Sequence, residues 1–591
     1  MNFLSKFSSK IRQIVAIVLS TPNYGWIIIL QIISGTFSFI GLPLLIPVLE
    51  FMQTEGTSQP VGQTSDFMLK AVTRLGFEPN FYTLLTVASI LILFGQLLVI
   101  FSALVAVWTE NNLIKKYSKQ ILDAYTQVDW LWLTNYHSGE MNYAVIKEVE
   151  MATVVPLSSL RIIIYSFQGL VFLALAVKLS FISALLAFFL YGILGFVNMR
   201  NARVVGKLNQ IYNQTMKQNS KALTGLQQNK KFFKTSLLNS VFIKKIFSNI
   251  DTAIWINKKV NMRQQFQGGW SFSATFLFLM FLVLFHKPLS INYYQLLVIV
   301  LVFNRLAPHF INLSESYLAF NRNLPMYESF RNRLVELAKN REVNGPEVFD
   351  GQGEIRFAGV SFAYPHGNQV IRNISLEILP CRTTAFVGGS GAGKSTVLDL
   401  ILGLLKPSEG RIYYGSIPHD KLDFNSLRRK VAYVSQGPTL LDGTLRENLL
   451  IGCPQASEEK LRDICKKVHL DQFVERLPEG LDTQIGENGI KLSGGQRQRV
   501  VLGRSLFMDP RILILDEATS ELDLHSEAMI QEAIKSLKEE LTIIIVAHRL
   551  STIKLADRLY VIENGNICES GSYEELLERK GKLFFLDSLQ R

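Results

Sequence analysis

Thr384–Thr396 reads TAFVGGSGAGKST, and this stretch decides what kind of domain the second half of the chain forms. Thr384-Ala385-Phe386-Val387 is an apolar run of the buried-strand type. It passes directly into Gly388, Gly389, Ser390, Gly391, Ala392, Gly393, Lys394, Ser395 and Thr396, and then into a helical pattern. Strand, glycine turn and helix in that order make a phosphate cradle. Backbone N–H groups converge on an anion only where glycine permits the turn, and the positive end of the following helix favours the same anion. Lys394 is spaced to meet the β and γ phosphates of a nucleotide, and Ser395 to ligate Mg²⁺. A glycine-rich turn without a ligand would need neither residue in register.

Outward from this turn, other strands end in chemistry. Ile512-Leu513-Ile514-Leu515 runs into Asp516 and Glu517. Two carboxylates at the end of a buried strand are costly unless a cation or proton compensates them. Asp516 suits Mg²⁺, directly or through water, and Glu517 suits polarising an attacking water. Thr542–Val546 delivers Ala547 and His548, and Val431–Ser435 delivers Gln436. Alone, that histidine and that glutamine would mean little. In an open α/β sheet, however, the ligand crevice lies at the carboxyl ends of the strands, so residues at four strand ends form one constellation.

A second glycine cradle lies downstream. Leu492-Ser493-Gly494-Gly495-Gln496 opens a helical segment that stops at Asp509-Pro510, which makes Ser493 and the glycine amides another helix-start anion site. A capping turn would explain one Ser and one Gly, but not the whole string.

Before about Gly345 the chain is different in kind. Segments Tyr24 to Met52, Phe81 to Trp108, Leu157 to Val177, Leu179 to Val197, Trp270 to Phe285 and Tyr293 to Leu313 are each apolar enough to read as membrane spans. The third and fourth are nearly continuous and require a tight hairpin around Lys178 and Ser180. The segment between the fourth and fifth carries thirteen Lys or Arg, whereas the hairpin and the loop at Lys287 carry one each. The positive-inside rule therefore puts both termini in the cytoplasm and accounts for the net charge of +12 without nucleic acid. The segment MNFLSKFSSKIRQ is expected to be an interfacial helix rather than a signal peptide. All four cysteines, Cys381, Cys453, Cys465 and Cys568, lie in the second half without metal-type spacing and read as reduced thiols.

The two inner segments, Thr109 to Pro156 and Arg200 to Gly269, are polar and helix-friendly, and about 20 helical residues project about 30 Å. Their expected tips are Asp129-Trp130-Leu131-Trp132-Leu133 and the stretch from Leu223 to Phe232, although an interfacial aromatic belt is the simpler account of Trp130 and Trp132.

Together GGSGAGKST, Gln436, LSGGQRQR, ILILDEATS, Leu522-Asp523 and Ala547-His548 resemble the nucleotide-binding domain of ABC transporters over roughly Phe349 to Arg591. With six spans and long inner arms ahead of it, the whole chain resembles an exporter-type half-transporter. The implied fold class is an all-α six-helix transmembrane domain with long cytoplasmic helical extensions (1–325), a linker (326–348) and an α/β P-loop ATPase domain (349–591). The resemblance implies ATP and Mg²⁺, two nucleotides sandwiched between two such domains, and LSGGQ of one copy facing the P-loop of the other. Residue by residue it makes Tyr364 the adenine-stacking aromatic, Gln436 a sensor of Mg²⁺ and water, Glu517 the catalytic base, His548 the γ-phosphate contact and Asp523 part of the dimer-spanning loop. Ser493, Gly494, Gly495 and Gln496 serve the partner's nucleotide, and Gly486 to Gly489 resembles the segment that meets the inner arms. Two departures stand out: Glu521 where the family has a small residue, and Leu379-Pro380-Cys381 in place of a glycine turn. With every ATP-site element intact, a homodimer is expected.

The implied function is ATP-driven export or flipping of an amphipathic substrate from a bacterial inner membrane, with the termini and ATPase domain cytoplasmic. Two observations bear on the substrate. Asp66 to Leu75, in a long first outer loop, has an amphipathic helical pattern that could lie on a membrane surface, a feature similar to flippases for lipid-linked saccharides. Arg305 and His309 sit one turn apart in the sixth span, as cavity-lining groups would, or as members of a salt bridge or residents of the inner interface. A multidrug or peptide exporter is the alternative, and an ATP-gated channel a more distant one.

Overall fold

The computed structural model describes the chain apart from residues 1, 42–43, 46, 49–68, 71–72, 75, 77, 79, 137, 236–238, 290–292, 366, 438, 519–522, 548 and 591. The amphipathic pattern expected over Asp66 to Leu75 falls mostly outside the described residues. Two compact units emerge: Met1–Val128 with Trp132–Arg341, and Asp129–Leu131 with Glu342–Arg591.

The first unit is helical. Asn2–Ser20 meets Tyr24–Gly41 at a sharp bend, 107° between Lys10–Ser20 and Tyr24–Phe37. Long helices then cover Phe81–Thr126, Val149–Leu179, Phe181–Gln228, Asn239–Leu284 and Tyr293–Lys339. Five helices are long and apolar enough to cross a membrane, or up to six if the bent pair is one span. Side chains such as Phe94, Leu97, Phe101, Phe188 and Phe196 stand exposed along them. An apolar surface of that extent requires a lipid-like cover. The hairpin at Lys178 is as short as it could be: Ser180 alone, extended at φ −158°, separates two helices and accepts the Ser183 N–H as N-cap. The last helix continues to Lys339, so most of the stretch expected to be a linker from residue 326 is helical.

Below the apolar windows, a polar network joins the helices. The π-helical turn Ala144–Glu148 presents Glu148, 1% exposed, to Arg333, which donates to its Oε2 from Nε (3.2 Å) and Nη2 (3.0 Å) and to the Tyr136 hydroxyl from Nη1. Glu140 alongside accepts from Lys217 (2.7 Å) and Lys221. Burial pushes the Glu148 carboxyl above its ordinary range and holds the Arg333 guanidinium below its own. The paired hydrogen bonds, with the Lys217 charge beside Glu148, offset part of that burial cost. Replacing Arg333 by Ala is expected to cost about 3–5 kcal/mol, read as a lowered unfolding midpoint of the detergent-solubilised chain. The paired replacement of Glu148 and Arg333 by Met should cost less than the single one.

In the second unit the described strands form two sheets. β1 (Ile355–Ala363), β2 (Gln369–Ile378), β4 (Glu409–Tyr414) and β5 (Ile417–Pro418) pair antiparallel in the order β2-β1-β4-β5. The other sheet has the order β10-β9-β3-β8-β7-β6, with β3 (Thr383–Val387), β6 (Val431–Val434), β7 (Ile512–Asp516), β8 (Thr542–Val546) and β9 (Arg558–Glu563) parallel and β10 (Asn566–Gly571) antiparallel at the edge. The central strands are continuous apolar runs because both faces are covered. Leu513, Leu515, Ile543 and Ile545 point into one core, and Ile512, Ile514, Ile544 and Val546 into the other. Among the described residues all four cysteines are free thiols.

Candidate functional site

Parallel register brings the carboxyl ends of four strands into one row. Phe386 in β3 and Asp516 in β7 both lie opposite Val546 in β8, and Leu515 opposite Val434 in β6. The groups that follow these positions in the chain, the glycine turn, Ala547, Glu517 and Gln436, therefore emerge along the same edge. The helix Lys394–Ile401 starts where β3 ends, with Gly393 at its N-cap in a left-handed conformation, φ 105°. Gly388 is required for space: a Cβ there would stand 2.3 Å from the Ile562 carbonyl oxygen. Gly391, at φ 78°, is also left-handed. Ser395 is exposed at the first turn of the helix, whereas Ala392, Lys394 and Thr396 are buried.

Lys394 folds back onto its own loop, its ammonium donating to the carbonyls of Gly388 (2.9 Å) and Gly389 (3.0 Å). Burial lowers its pKa, while Glu517 and Asp516 work in the opposite direction. Glu517 takes φ 51°, a region that side chains other than glycine enter at a cost of about 1–2 kcal/mol. Its N–H donates to the Val546 carbonyl (3.0 Å), and its Oε2 accepts from Gln436 Nε2 (2.8 Å).

Sequence reasoning passed over two neighbours. Tyr433 in β6 donates its hydroxyl to Asp516 Oδ2 (3.0 Å), and burial, then the Asp516 charge, raises its pKa. Asp399, on the helix after the glycine turn, is pushed up to about 6 by burial and then by Asp516. A tyrosine and an aspartate inside otherwise apolar strand and helix patterns were the available signal.

A second group of expected residues gathers at another pair of helix starts. Ser493 caps the helix Gly494–Leu506 in a reciprocal box: its hydroxyl accepts from Gln496 N–H (3.3 Å) while Gln496 Oε1 accepts from Ser493 N–H (2.8 Å). Gly495 lies against Ser526, where a Cβ would come within 2.4 Å. Ser526 in turn donates its hydroxyl to Asp523 Oδ2 (2.8 Å), and the Ser526 and His525 N–H groups donate to Asp523 Oδ1 (2.9 and 3.1 Å). These bonds, led by the Ser526 N–H, hold the exposed Asp523 carboxyl below its usual range. Asp523 is thus the N-cap of the helix Leu524–Leu537. That structural duty was not evident from its place after Leu522.

Tyr364 is exposed at the end of β1, edge-on to Phe362 with ring centroids 5.0 Å apart. His548 and Glu521 lie outside the described residues. At the other sequence departure, Cys381 adopts φ 51°, so the turn before β3 keeps a glycine-like backbone with a cysteine in it. Its N–H is held by the Thr542 hydroxyl (3.0 Å). Gly486 and Gly489 likewise have positive φ and frame a tight turn, Glu487–Gly489, beside the exposed Ile490.

The oxygen chemistry fits a hard dication: the Ser395 hydroxyl, the Gln436 amide and the Asp516 carboxylate are the ligand types Mg²⁺ takes. Among the described residues no three His, Cys, Asp or Glu side chains cluster into a metal site of their own. A nucleotide-bound Mg²⁺ needs only one or two carboxylates, because phosphate and water supply the rest.

Residues 371–520 match the family model described as ABC transporter. The chain is 45% identical over 264 residues to the heterocyst differentiation ATP-binding protein HepA of Nostoc sp., covering 44% of each chain. It is 41% identical over 253 residues to the ATP-dependent lipid A-core flippase of Chromohalobacter salexigens, covering 42% of this chain and 44% of that one. To the ABC multidrug transporter mdr1 of Aspergillus fumigatus it is 43% identical over 250 residues, covering 42% and 18%. Each match spans less than half of the relative's length. Among solved structures, a bacterial Atm1-family ABC exporter with ATP bound aligns over 95% of this chain and 97% of its own with a TM-score of 0.78 and 22% identity.

Proposed function

We propose that this chain, an ABC transporter ATP-binding domain fused to a helical domain with the exporter fold, couples ATP hydrolysis to export or flipping of an amphipathic substrate as a homodimer. The observation that carries the reading is the row of strand ends. Gly388–Thr396, Gln436, Asp516 and Glu517 meet at one edge of a sheet, on the same chain as helices long and apolar enough to cross a membrane.

In this reading the backbone N–H groups of the glycine turn bind the phosphates, and Lys394 exchanges its two carbonyl partners for β and γ oxygens. Tyr364 stacks on the adenine. Mg²⁺, when bound, neutralises charge on the phosphates, and Ser395, Asp516 and Gln436 would hold it. Glu517 accepts the proton of the attacking water, with Gln436 fixing the carboxylate that does so. His548 is assigned the γ-phosphate contact. Ser493, Gly494, Gly495 and Gln496, with Asp523 beside them, face the nucleotide of the second copy.

ATP shifts a conformational equilibrium only by binding one state better, and a sandwich closed on two nucleotides provides that difference. Closure would draw the inner arms together and open the membrane cavity to the far side. Both termini and the ATPase domain are assigned to the cytoplasmic side of a bacterial inner membrane. A lipid or lipid-linked saccharide is the preferred cargo, and the 41% identity to a lipid A-core flippase supports it. Comparable identity to a multidrug transporter keeps drug export as the second reading.

The test is ATP-dependent movement of a fluorescent lipid across the bilayer of proteoliposomes. Movement that needs hydrolysable ATP supports the proposal, and equal passive flux without it would indicate a channel instead.

A further inference from the structure

The helical unit encloses a cavity of about 420 Å³ between the helices Tyr24–Gly41, Phe81–Thr126, Val149–Leu179 and Tyr293–Lys339. Each helix contributes a stripe at helical spacing. Arg161, Tyr165 and Gln168 come from one, and Arg305, His309 and Asn312 from another. Gln31 and Ser34 line it from the first helix, Gln96 and Glu110 from the second. Between these polar groups the wall is aliphatic, with Ile27, Val99, Leu157, Leu160 and Ile164.

The charge on this wall is unbalanced. Two guanidinium groups face it and one carboxylate, Glu110; among the described residues neither Arg161 nor Arg305 forms an ion pair. Both arginines are exposed. Two of the polar groups on the wall are engaged with each other or with a neighbouring helix. Gln168, 5% exposed, donates to Gln31 Oε1 (3.0 Å), and Gln31 donates to the Ser102 hydroxyl. His309 stacks its ring on Phe172, centroids 5.3 Å apart at 19°, and among the described residues its buried Nδ1 has no hydrogen-bond partner. Cations within apolar helices that face a cavity in excess of the counter-charge there mark a binding path for an anion.

We propose that this cavity binds the phosphate-bearing headgroup of a lipid-like substrate, its oxyanion held between Arg161 and Arg305 and its first chain carbons against the aliphatic wall. The inference rests on the transport reading above and gives it a substrate class. A guanidinium is a rigid fork of donors matched to paired oxygens, and two forks on facing helices suit an anion with several acceptor oxygens. His309 Nδ1 and Asn312, on the same stripe as Arg305, are then available to a phosphate ester oxygen. The aliphatic remainder of the wall favours a headgroup attached to a chain over a free ion.

The experiment is equilibrium binding to the full chain in detergent, without nucleotide, using phosphatidic acid and diacylglycerol that carry the same fluorescent acyl chain, with inorganic phosphate as competitor. Phosphatidic acid should bind about tenfold or more tightly than diacylglycerol. Arg161→Gln and Arg305→Gln should each remove most of that preference while leaving diacylglycerol binding intact, which also reports that the variants are folded. Arg305→Lys, which keeps the charge and loses the fork, should fall between. Equal binding of the two lipids, or an unchanged preference in both Gln variants, overturns the assignment. Inorganic phosphate competing as well as phosphatidic acid overturns the lipid class. None of these outcomes touches ATP-driven transport, which fails separately if lipid movement in proteoliposomes proceeds equally without hydrolysable ATP.

Discussion

Glu517→Gln should lower ATP turnover by about 10²–10⁴-fold while ATP binding stays within a few-fold of wild type. The substitution is nearly isosteric, and its amide oxygen can still accept the Gln436 Nε2 hydrogen bond that Glu517 Oε2 accepts at 2.8 Å. The left-handed backbone at φ 51° and the N–H bond to Val546 do not depend on the carboxylate. What is lost is the proton acceptor alone, so the defect should fall on turnover and leave nucleotide affinity, set by the glycine turn and Lys394, in place. Steady-state hydrolysis and equilibrium binding of a fluorescent ATP analogue, measured on one preparation, separate the two. A turnover within tenfold of wild type would remove Glu517 from the role of base. Asp516→Asn should differ in kind: it takes charge from the expected Mg²⁺ ligand and should weaken binding of Mg-ATP as well as slow its hydrolysis.

A subunit confined alone in a lipid nanodisc should hydrolyse ATP on the order of a hundredfold more slowly than the same subunit in a disc holding two. Ser493, Gly495 and Gln496 already satisfy one another or pack on Ser526, and the P-loop cluster stands at a different set of strand and helix ends. In the proposed sandwich, donors on the far side of the nucleotide come from a second copy. Removing one such donor group typically costs 10²–10³ in rate. Single-copy and two-copy discs can be separated by size and assayed at equal subunit concentration. Equal turnover per subunit would show that each ATP site is complete within one chain, and the homodimer proposal would fall.

Much of the ATP site could be read without a fold because its chemistry is local. A phosphate cradle needs glycines, a lysine and a hydroxyl at fixed spacing on a strand-turn-helix, so TAFVGGSGAGKST is legible as it stands. The same holds for ILILDE and LSGGQ. Spans are legible for a different reason, since length and hydropathy decide whether a helix can lie in hydrocarbon, whatever packs beside it.

Contacts between residues far apart in the chain are not written in any window. Parallel pairing of β6, β7, β8 and β3 is what turns four strand ends into one site, and it joins Tyr433 to Asp516 and Gln436 to Glu517 across more than eighty residues. Asp523 looked like a loop carboxylate, and only the helix that begins beside it makes it a cap. The Glu148 and Arg333 pair is separated by 185 residues and has no local signature. Arg161 was not singled out in the sequence, and Arg305 fitted a cavity, a salt bridge or an interface. Their common cavity is decided by which faces of two helices are turned toward each other. The sequence by itself determined the reactions this chain is equipped for, because reactive groups need short, fixed spacings. Tertiary structure alone decided which charges are capped, paired or left facing open space, because burial and partner distance are properties of packing and not of order along the chain.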